Sequence, residues 1–332
     1  MQQLYSITII GGGSWATALA KIFSENSIHV TWHLRSIEHV NFLTEHGRNP
    51  NYLRSLQLDM RYIKPTISLE AAINSSSDIL FAVPSAFLES TLTDLDETIL
   101  RHKRLYVSIK GLVSDDLLIP SVFLTKRFNA DIKNITVLSG PCHAEEIAMS
   151  RKTFLTVSGE DAAIVKRMSA AIKSPYLNVI TNKDPLGVEY AAILKNIIGI
   201  AGGIAKGLNY GDNFLAVIIS NSMREIKNFL NAIDKAERDL YNSAYFGDLL
   251  VTAYSEFSRN RSFGFMMGRG YSVPDARSRM TMVAEGFHAV KGMYKMARDV
   301  KVNMPVVSTI YRILYQHASP FSEFGLLESQ LK

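Results

Sequence analysis

One cysteine, Cys142, occurs in 332 residues. A single thiol excludes an intramolecular disulfide and disfavours a thiolate metal site, so no metal is expected. Such sparse cysteine usage fits a reducing cytoplasm. Dense Lys/Arg runs are also missing, and with them the electrostatic footprint of a nucleic-acid binder. The formal net charge is only +5, an excess that suits small anionic molecules. The first ten residues have no basic segment and no cleavage site, and read as a strand rather than a signal peptide. The most apolar long stretch, Ala191–Ala205, is interrupted by Lys195, Asn196 and glycines. It reads as too short and too polar to span a bilayer, so no stable membrane insertion is expected. Internal repeats, low-complexity tracts and long flexible linkers are absent as well.

Hydrophobic residues make up 47% of the chain, enough for a sizeable core. The length suggests two domains. The most informative stretch is residues 7–17, Ile-Thr-Ile-Ile-Gly-Gly-Gly-Ser-Trp-Ala-Thr. An apolar run ends in glycines and a helix-competent segment follows. The spacing Gly11-x-Gly13-x-x-Ala16 is the dinucleotide fingerprint with Ala in third place. Gly11 would allow the tight turn, Gly13 the close approach of a pyrophosphate, and Ala16 close helix–strand packing. The amides of Ser14 and its neighbours, at the positive end of the helix dipole, would hold the anion.

Strand candidates follow at His29–Leu34, Ile79–Val83, Leu105–Ile109, Ile135–Leu138 and Phe154–Ser158, with helical patterns between them. This alternation predicts an α/β Rossmann-type doubly wound domain over residues 1–185. After Asp184-Pro185 strand-like runs nearly vanish. Helical periodicities over Leu186–Lys206, Phe214–Leu230, Ser243–Ser255 and Met280–Arg298 predict an all-α domain over residues 186–332.

Several short segments carry candidate chemistry. Lys195 and Asn196 lie in a helix whose other positions are almost all apolar. Burial there is costly unless the groups are paired or functional, and desolvation lowers a lysine's pKa toward acid/base range. The alternative is a lysine snorkelling at a helix edge. Ser258-Arg259-Asn260-Arg261 offers convergent donors, with an arginine fork that suits phosphate oxygens; the alternative is a polar loop. Asp248 could orient a nearby lysine. Lys110 and the Gly140-Pro141-Cys142-His143-Ala144 run both follow predicted strands, where a doubly wound sheet meets its ligand. Sequence spacing alone positions no obvious acid/base partner for His143. At the end of the second strand, where an acidic residue would bind the ribose of NAD, the chain has Arg35. That tilts toward NADP without excluding NAD.

Taken together, these segments resemble the bacterial NAD(P)-dependent glycerol-3-phosphate dehydrogenases. The matching pieces are residues 11–20, Ile109-Lys110-Gly111, Ser139-Gly140-Pro141, Ala144-Glu145-Glu146 and Gly187-Val188-Glu189. Leu194-Lys195-Asn196, Gly211-Asp212-Asn213, Gly247-Asp248-Leu249, Ser258–Arg261 and Val283–Gly286 also match. They run in the family's order from residue 7 to about residue 307. The resemblance implies reversible reduction of dihydroxyacetone phosphate to sn-glycerol 3-phosphate, feeding glycerophospholipid synthesis, in a cytoplasmic homodimer. It implies Lys195 as proton donor and acceptor, with Lys110 and Asp248 beside it. Gly140, Cys142, Ser258, Arg259 and Asn260 would join them around the substrate. Gly11, Gly13, Ser14, Trp15, Arg35, Lys110, Ala144, Arg259, Val283 and Glu285 would meet the cofactor, NADP or NAD. Departures occur at Ala16, at Cys142-His143, at Ala192-Ile193 and at Tyr245-Phe246. A β-hydroxyacid dehydrogenase, or a silent NAD(P)-binding regulator, would share the glycine turn.

Overall fold

The structure is a computed structural model that describes residues 5–280 and 284–332. The chain divides into two compact units. The first runs to Ile109 and resumes over Val113–Leu186, while Lys110–Leu112 and Gly187–Lys332 form the second.

In the first unit the elements alternate: β1 (Ser6–Ile10), α1 (Ser14–Glu25), β2 (His29–His33), α2 (Ile37–His46), β3 (Ile63–Thr66), α3 (Leu69–Asn74), β4 (Asp78–Phe81), α4 (Ser85–Leu92) and β5 (Arg104–Val107). Then come α5 (Pro120–Phe128), β6 (Ile135–Ser139), α6 (Ala144–Ala148), β7 (Thr153–Gly159), α7 (Ala162–Ile172) and β8 (Leu177–Asn182). The eight strands form one sheet in the order β3-β2-β1-β4-β5-β6-β7-β8. Every pairing is parallel except β6 with β7. The strand order reverses beside β1, which is the switch point where doubly wound sheets bind ligands.

Apolar residues on both faces of the central strands explain this arrangement. Ile7 and Ile9 of β1 enter one core layer with Leu19 and Phe23 of α1. Ile10 enters the opposite layer with Phe81, Leu105 and Val107. Each fully buried residue of this size contributes about 1.5–3 kcal/mol of transfer free energy. The two edge strands, β3 and β8, are additions to the sequence reading. Pro65 interrupts the pattern of β3, yet an edge strand tolerates a missing N–H donor.

The second unit is helical in its described residues. It contains α8 (Pro185–Gly207), α9 (Asp212–Ile233), a π-helical turn at Ser243–Gly247, α10 (Asp248–Tyr254) and α11 (Arg259–Gly268). After these follow α12 (Val273–Ser278), α13 (Glu285–Asp299), α14 (Pro305–Tyr315) and α15 (Pro320–Glu328). Helix α8 corrects one expectation: in full it is long and apolar enough to cross a membrane, because it extends on both sides of Ala191–Ala205. However, 94% of its apolar window is buried inside the protein, so that surface is already covered.

Backbone contact packs α8 against α11. A Cβ at Gly203 would strike the Arg261 carbonyl and lie 2.7 Å from the Phe265 nitrogen. One at Gly207 would lie 2.6 Å from the Phe265 carbonyl, and one at Gly264 would collide with the Ile200 carbonyl. The glycines that break the apolar run of α8 therefore let α11 approach, which sets the start of α11 near Lys195 and Asn196.

Candidate active site

The first unit carries the glycine turn. Gly11 has φ +129°, and a Cβ there would lie 2.6 Å from the Ala82 carbonyl that follows β4. Only glycine fits both constraints. The Trp32 indole donates to the Gly11 carbonyl at 2.6 Å. Beside Gly13 the situation is the opposite: a Cβ would find no protein atom within 4 Å. The first intrahelical bond of α1 runs from Thr17 N to Gly13 O at 3.0 Å, so helix geometry leaves the Ser14, Trp15 and Ala16 amides without intrahelical acceptors. The Trp15 indole nitrogen is buried and has no hydrogen-bond partner. An open cradle, spare donors and the helix dipole fit the acceptor-rich pyrophosphate of a dinucleotide.

Asn49 is a contributor that the sequence reading missed. Its side-chain amide donates to Gly12 O at 3.1 Å and to Thr17 Oγ1 at 2.9 Å. Its Oδ1 accepts from the Asn51 and Tyr52 amides. Asn49 is buried and braces the turn from a loop 37 residues away, a distance no spacing rule covers. Arg35, just past β2, is exposed, and its guanidinium lies 5.5 Å from the ring centroid of Phe87 in α4. Burial holds the neighbouring His33 below its ordinary pKa, with the charge of Arg35 adding to the effect. Past β6, Gly140 has φ +122°. Cys142 is half-buried, with its thiol directed to the Gly140 carbonyl at 3.1 Å. Ala144 is buried at the start of α6.

The second unit brings three charged groups together. Asp248 is 1% exposed, and its carboxylate is shared by two ammonium groups. Lys195, 8% exposed, ion-pairs with Oδ1. Lys110, 18% exposed, lies 3.4 Å from Oδ2. Burial pushes the Asp248 carboxyl up, but the charges of Lys110 and Lys195 and their hydrogen bonds outweigh it and hold the group below the usual carboxylate range. Two ammonium groups thus face the one carboxylate of Asp248, an arrangement that suits an anionic ligand. The π-helical turn at Ser243–Gly247 delivers Asp248 into the cluster, and Tyr245 of that turn is buried. Thr252 secures the next turn by donating to the Asp248 carbonyl at 2.7 Å.

Ser258-Arg259-Asn260 is a helix start rather than a loop. Ser258 caps α11 by accepting from Arg261 N at 3.3 Å. Arg259 is exposed, while Asn260 is buried. The Asn260 amide donates to Asn196 Oδ1 at 3.0 Å and accepts from Gly286 N at 2.9 Å. Asn196 in turn donates to the Lys110 carbonyl at 2.9 Å. Glu285 opens α13 and is half-buried. Val283 lies outside the described residues. Within the second unit, then, Lys110, Lys195, Asp248 and Asn260 converge, and Asn196 joins them. Gly11, Gly13, Ser14, Trp15, Arg35, Gly140, Cys142 and Ala144 belong to the first unit.

Known proteins resemble the chain throughout. The family description "NAD-dependent glycerol-3-phosphate dehydrogenase N-terminus" matches residues 6–165, and its C-terminal counterpart matches residues 184–324. A Staphylococcus epidermidis protein named glycerol-3-phosphate dehydrogenase [NAD(P)+] is 33% identical over 311 residues, covering 93% of each chain. A Clostridium botulinum protein of the same name is 34% identical over 327 residues, covering 98% of this chain and 97% of its own. The crystal structure of glycerol-3-phosphate dehydrogenase from Coxiella burnetii superposes with a TM-score of 0.90 at 26% identity, covering 97% of this chain and 98% of its own. The fingerprint turn, the two lysines on the buried Asp248 and these likenesses agree, and the chain belongs to the NAD-dependent glycerol-3-phosphate dehydrogenase family of NAD(P)-dependent oxidoreductases.

Proposed function

We propose that the protein catalyses the reversible NAD(P)H-dependent reduction of dihydroxyacetone phosphate to sn-glycerol 3-phosphate, the entry to glycerophospholipid synthesis. The observation that carries this reading is the buried Asp248 carboxylate shared by Lys195 and Lys110. Ketone reduction needs a hydride, a proton and compensation for charge growing on oxygen. A bound nicotinamide supplies the hydride. Lys195 gives its ammonium proton to the C2 oxygen as that oxygen becomes an alkoxide, and recovers it in the reverse direction. Lys110 faces the same oxygen as a second cation and also meets the cofactor. Asp248 stays ionised and aims both ammonium groups. Without it the two neighbouring cations would repel each other.

Arg259 takes the substrate phosphate through its planar fork, with Asn260 and Ser258 beside it. Holding a dianion away from the reacting carbon positions the ketone. Gly140 and Cys142 line the substrate. Gly11, Gly13, Ser14, Trp15 and Ala144, with Glu285 and Val283, receive the dinucleotide. Arg35 pairs with a 2′-phosphate and favours NADP over NAD. The enzyme works in the cytoplasm as a homodimer, a location suited to its lone reduced thiol.

The test is loss of NADPH absorbance with dihydroxyacetone phosphate, run beside NADH and beside 3-hydroxyisobutyrate oxidation. Turnover of the phosphorylated ketone supports the reading. Turnover of the hydroxyacid alone replaces it with a carboxylate substrate.

A further inference from the structure

We propose that Asn196 is a positioning residue, the middle link of a hydrogen-bonded relay that fixes the main chain of Lys110 and ties it to the starts of α11 and α13. The relay runs from Gly286 N–H to Asn260 Oδ1 at 2.9 Å, and from Asn260 Nδ2 to Asn196 Oδ1 at 3.0 Å. It ends with Asn196 Nδ2 donating to Lys110 O at 2.9 Å. The significance for turnover rests on the reading of Lys110 and Lys195 as the groups that face the ketone.

Three observations support it. First, Asn196 and Asn260 are both buried, and each gives a hydrogen bond on one side and takes one on the other. Amides aligned in this way polarise one another, and breaking any link leaves buried groups unpaired. A short side chain with one donor end and one acceptor end is what such a link requires.

Second, Lys110 is held at both of its ends. Asn196 holds its carbonyl, and Asp248, paired with Lys195, faces its ammonium at 3.4 Å. Lys195 and Asn196 are consecutive on α8, so their side chains leave the helix about 100° apart. One helical step thus addresses the ammonium through Asp248 and the carbonyl directly. Releasing the carbonyl frees the second cation to move against the acid/base lysine.

Third, the relay has no room to drift. A Cβ at Gly286 would lie 2.6 Å from the Asn196 carbonyl, and one at Gly199 would lie 3.2 Å from the Asn260 Cβ. The Asn260 amide is committed on both sides, which leaves one N–H of that side chain for a phosphate oxygen. Its main work is therefore to hold Asn196, and the exposed Arg259 next to it carries the anion.

The experiment is a double-mutant cycle of Asn196→Ala and Asn260→Ala, assayed with NADPH and dihydroxyacetone phosphate. Hydrogen exchange is followed in parallel at Lys110–Leu112 and at Gly286. Each single change should lower kcat at saturating substrate by about tenfold to a hundredfold, the scale of a small misplacement of reacting groups. The double variant should be no more than about threefold worse than the worse single, because one broken chain cannot be broken again. Exchange should accelerate at both ends of the relay in every variant. Losses that multiply would overturn the proposal, as would unchanged exchange at Lys110–Leu112.

If Asn196→Ala does not fold, Asn260→Ala decides alone. A fall in kcat supports the relay, whereas a raised KM with unchanged kcat leaves Asn260 as a simple phosphate contact. A wild-type protein inert toward the ketone would reject the substrate reading, and the exchange measurement would still decide the relay.

Discussion

Lys195 and Asp248, 53 positions apart in the chain, form a buried ion pair between α8 and the first residue of α10. Burial makes each group depend on its charged partners, and Lys110 stands beside the pair, 3.4 Å from Asp248 Oδ2. The pair is therefore where a substitution should separate chemistry from binding.

Lys195→Ala should retain NADPH binding, because the dinucleotide turn belongs to the first unit, and should lose at least about a thousandfold in turnover. That is the scale of losing an acid/base together with its charge. NADPH fluorescence titration and steady-state rates check both halves. Turnover near the wild-type value would remove Lys195 from the proton-transfer role.

Arg35 provides a test of cofactor choice. Arg35→Asp replaces a fork suited to a 2′-phosphate with an acceptor suited to a ribose hydroxyl. The ratio of kcat/KM for NADPH to that for NADH should fall by about tenfold or more, the worth of one charge-assisted contact. An unchanged ratio would place the discrimination elsewhere.

Two glycines should respond in opposite ways. Gly13→Ala puts its new Cβ where no protein atom lies within 4 Å, so the melting temperature should stay within a few degrees of wild type. NADPH affinity should drop by about tenfold or more as the pyrophosphate loses its approach. Gly203→Ala drives a methyl into the backbone of α11 and should cost about 1–3 kcal/mol or more of stability. Thermal melts alongside NADPH titrations distinguish the two effects.

Asp78, the first residue of β4, offers a pH test. Its carboxylate accepts from Arg104 at 2.7 and 2.8 Å, from Tyr106 at 2.8 Å and from Arg167 at 3.1 Å. Burial raises its pKa, but these hydrogen bonds together with the charge of Arg104 hold it below the ordinary carboxylate value. A folded-state pKa below the unfolded one means that Asp78 stabilises the protein above about pH 4, and that this contribution is lost as pH falls further. Asp78→Asn should cost about 3–5 kcal/mol, toward the lower figure because Arg104 is 31% exposed. It should also flatten the dependence of stability on pH in that acid range. Urea melts of both proteins from neutral to acid pH provide the comparison.

What the sequence determined by itself was set by short-range pattern. The first strand, Ser6–Ile10, ends where the apolar run meets the glycines, a pattern with few alternatives. Lys195 stood out because a charge surrounded by isoleucines needs a reason, and its partner Asp248 was already a candidate. The edge strands β3 and β8 escaped notice because each pairs on one side only. Their residues follow half-exposed patterns, broken in β3 by Pro65.

Tertiary structure decided what depends on groups distant in the chain. It put Lys110–Leu112 into the helical unit, made Ser258 a helix cap, and brought Asn49 under the glycine turn. It also joined Gly286, Asn260, Asn196 and Lys110 in one line of amides. The physical reason is that periodicity records which face of an element is apolar. Which buried donor meets which acceptor is settled only when the helices pack, and here the glycines of α8 and α11 fix that packing.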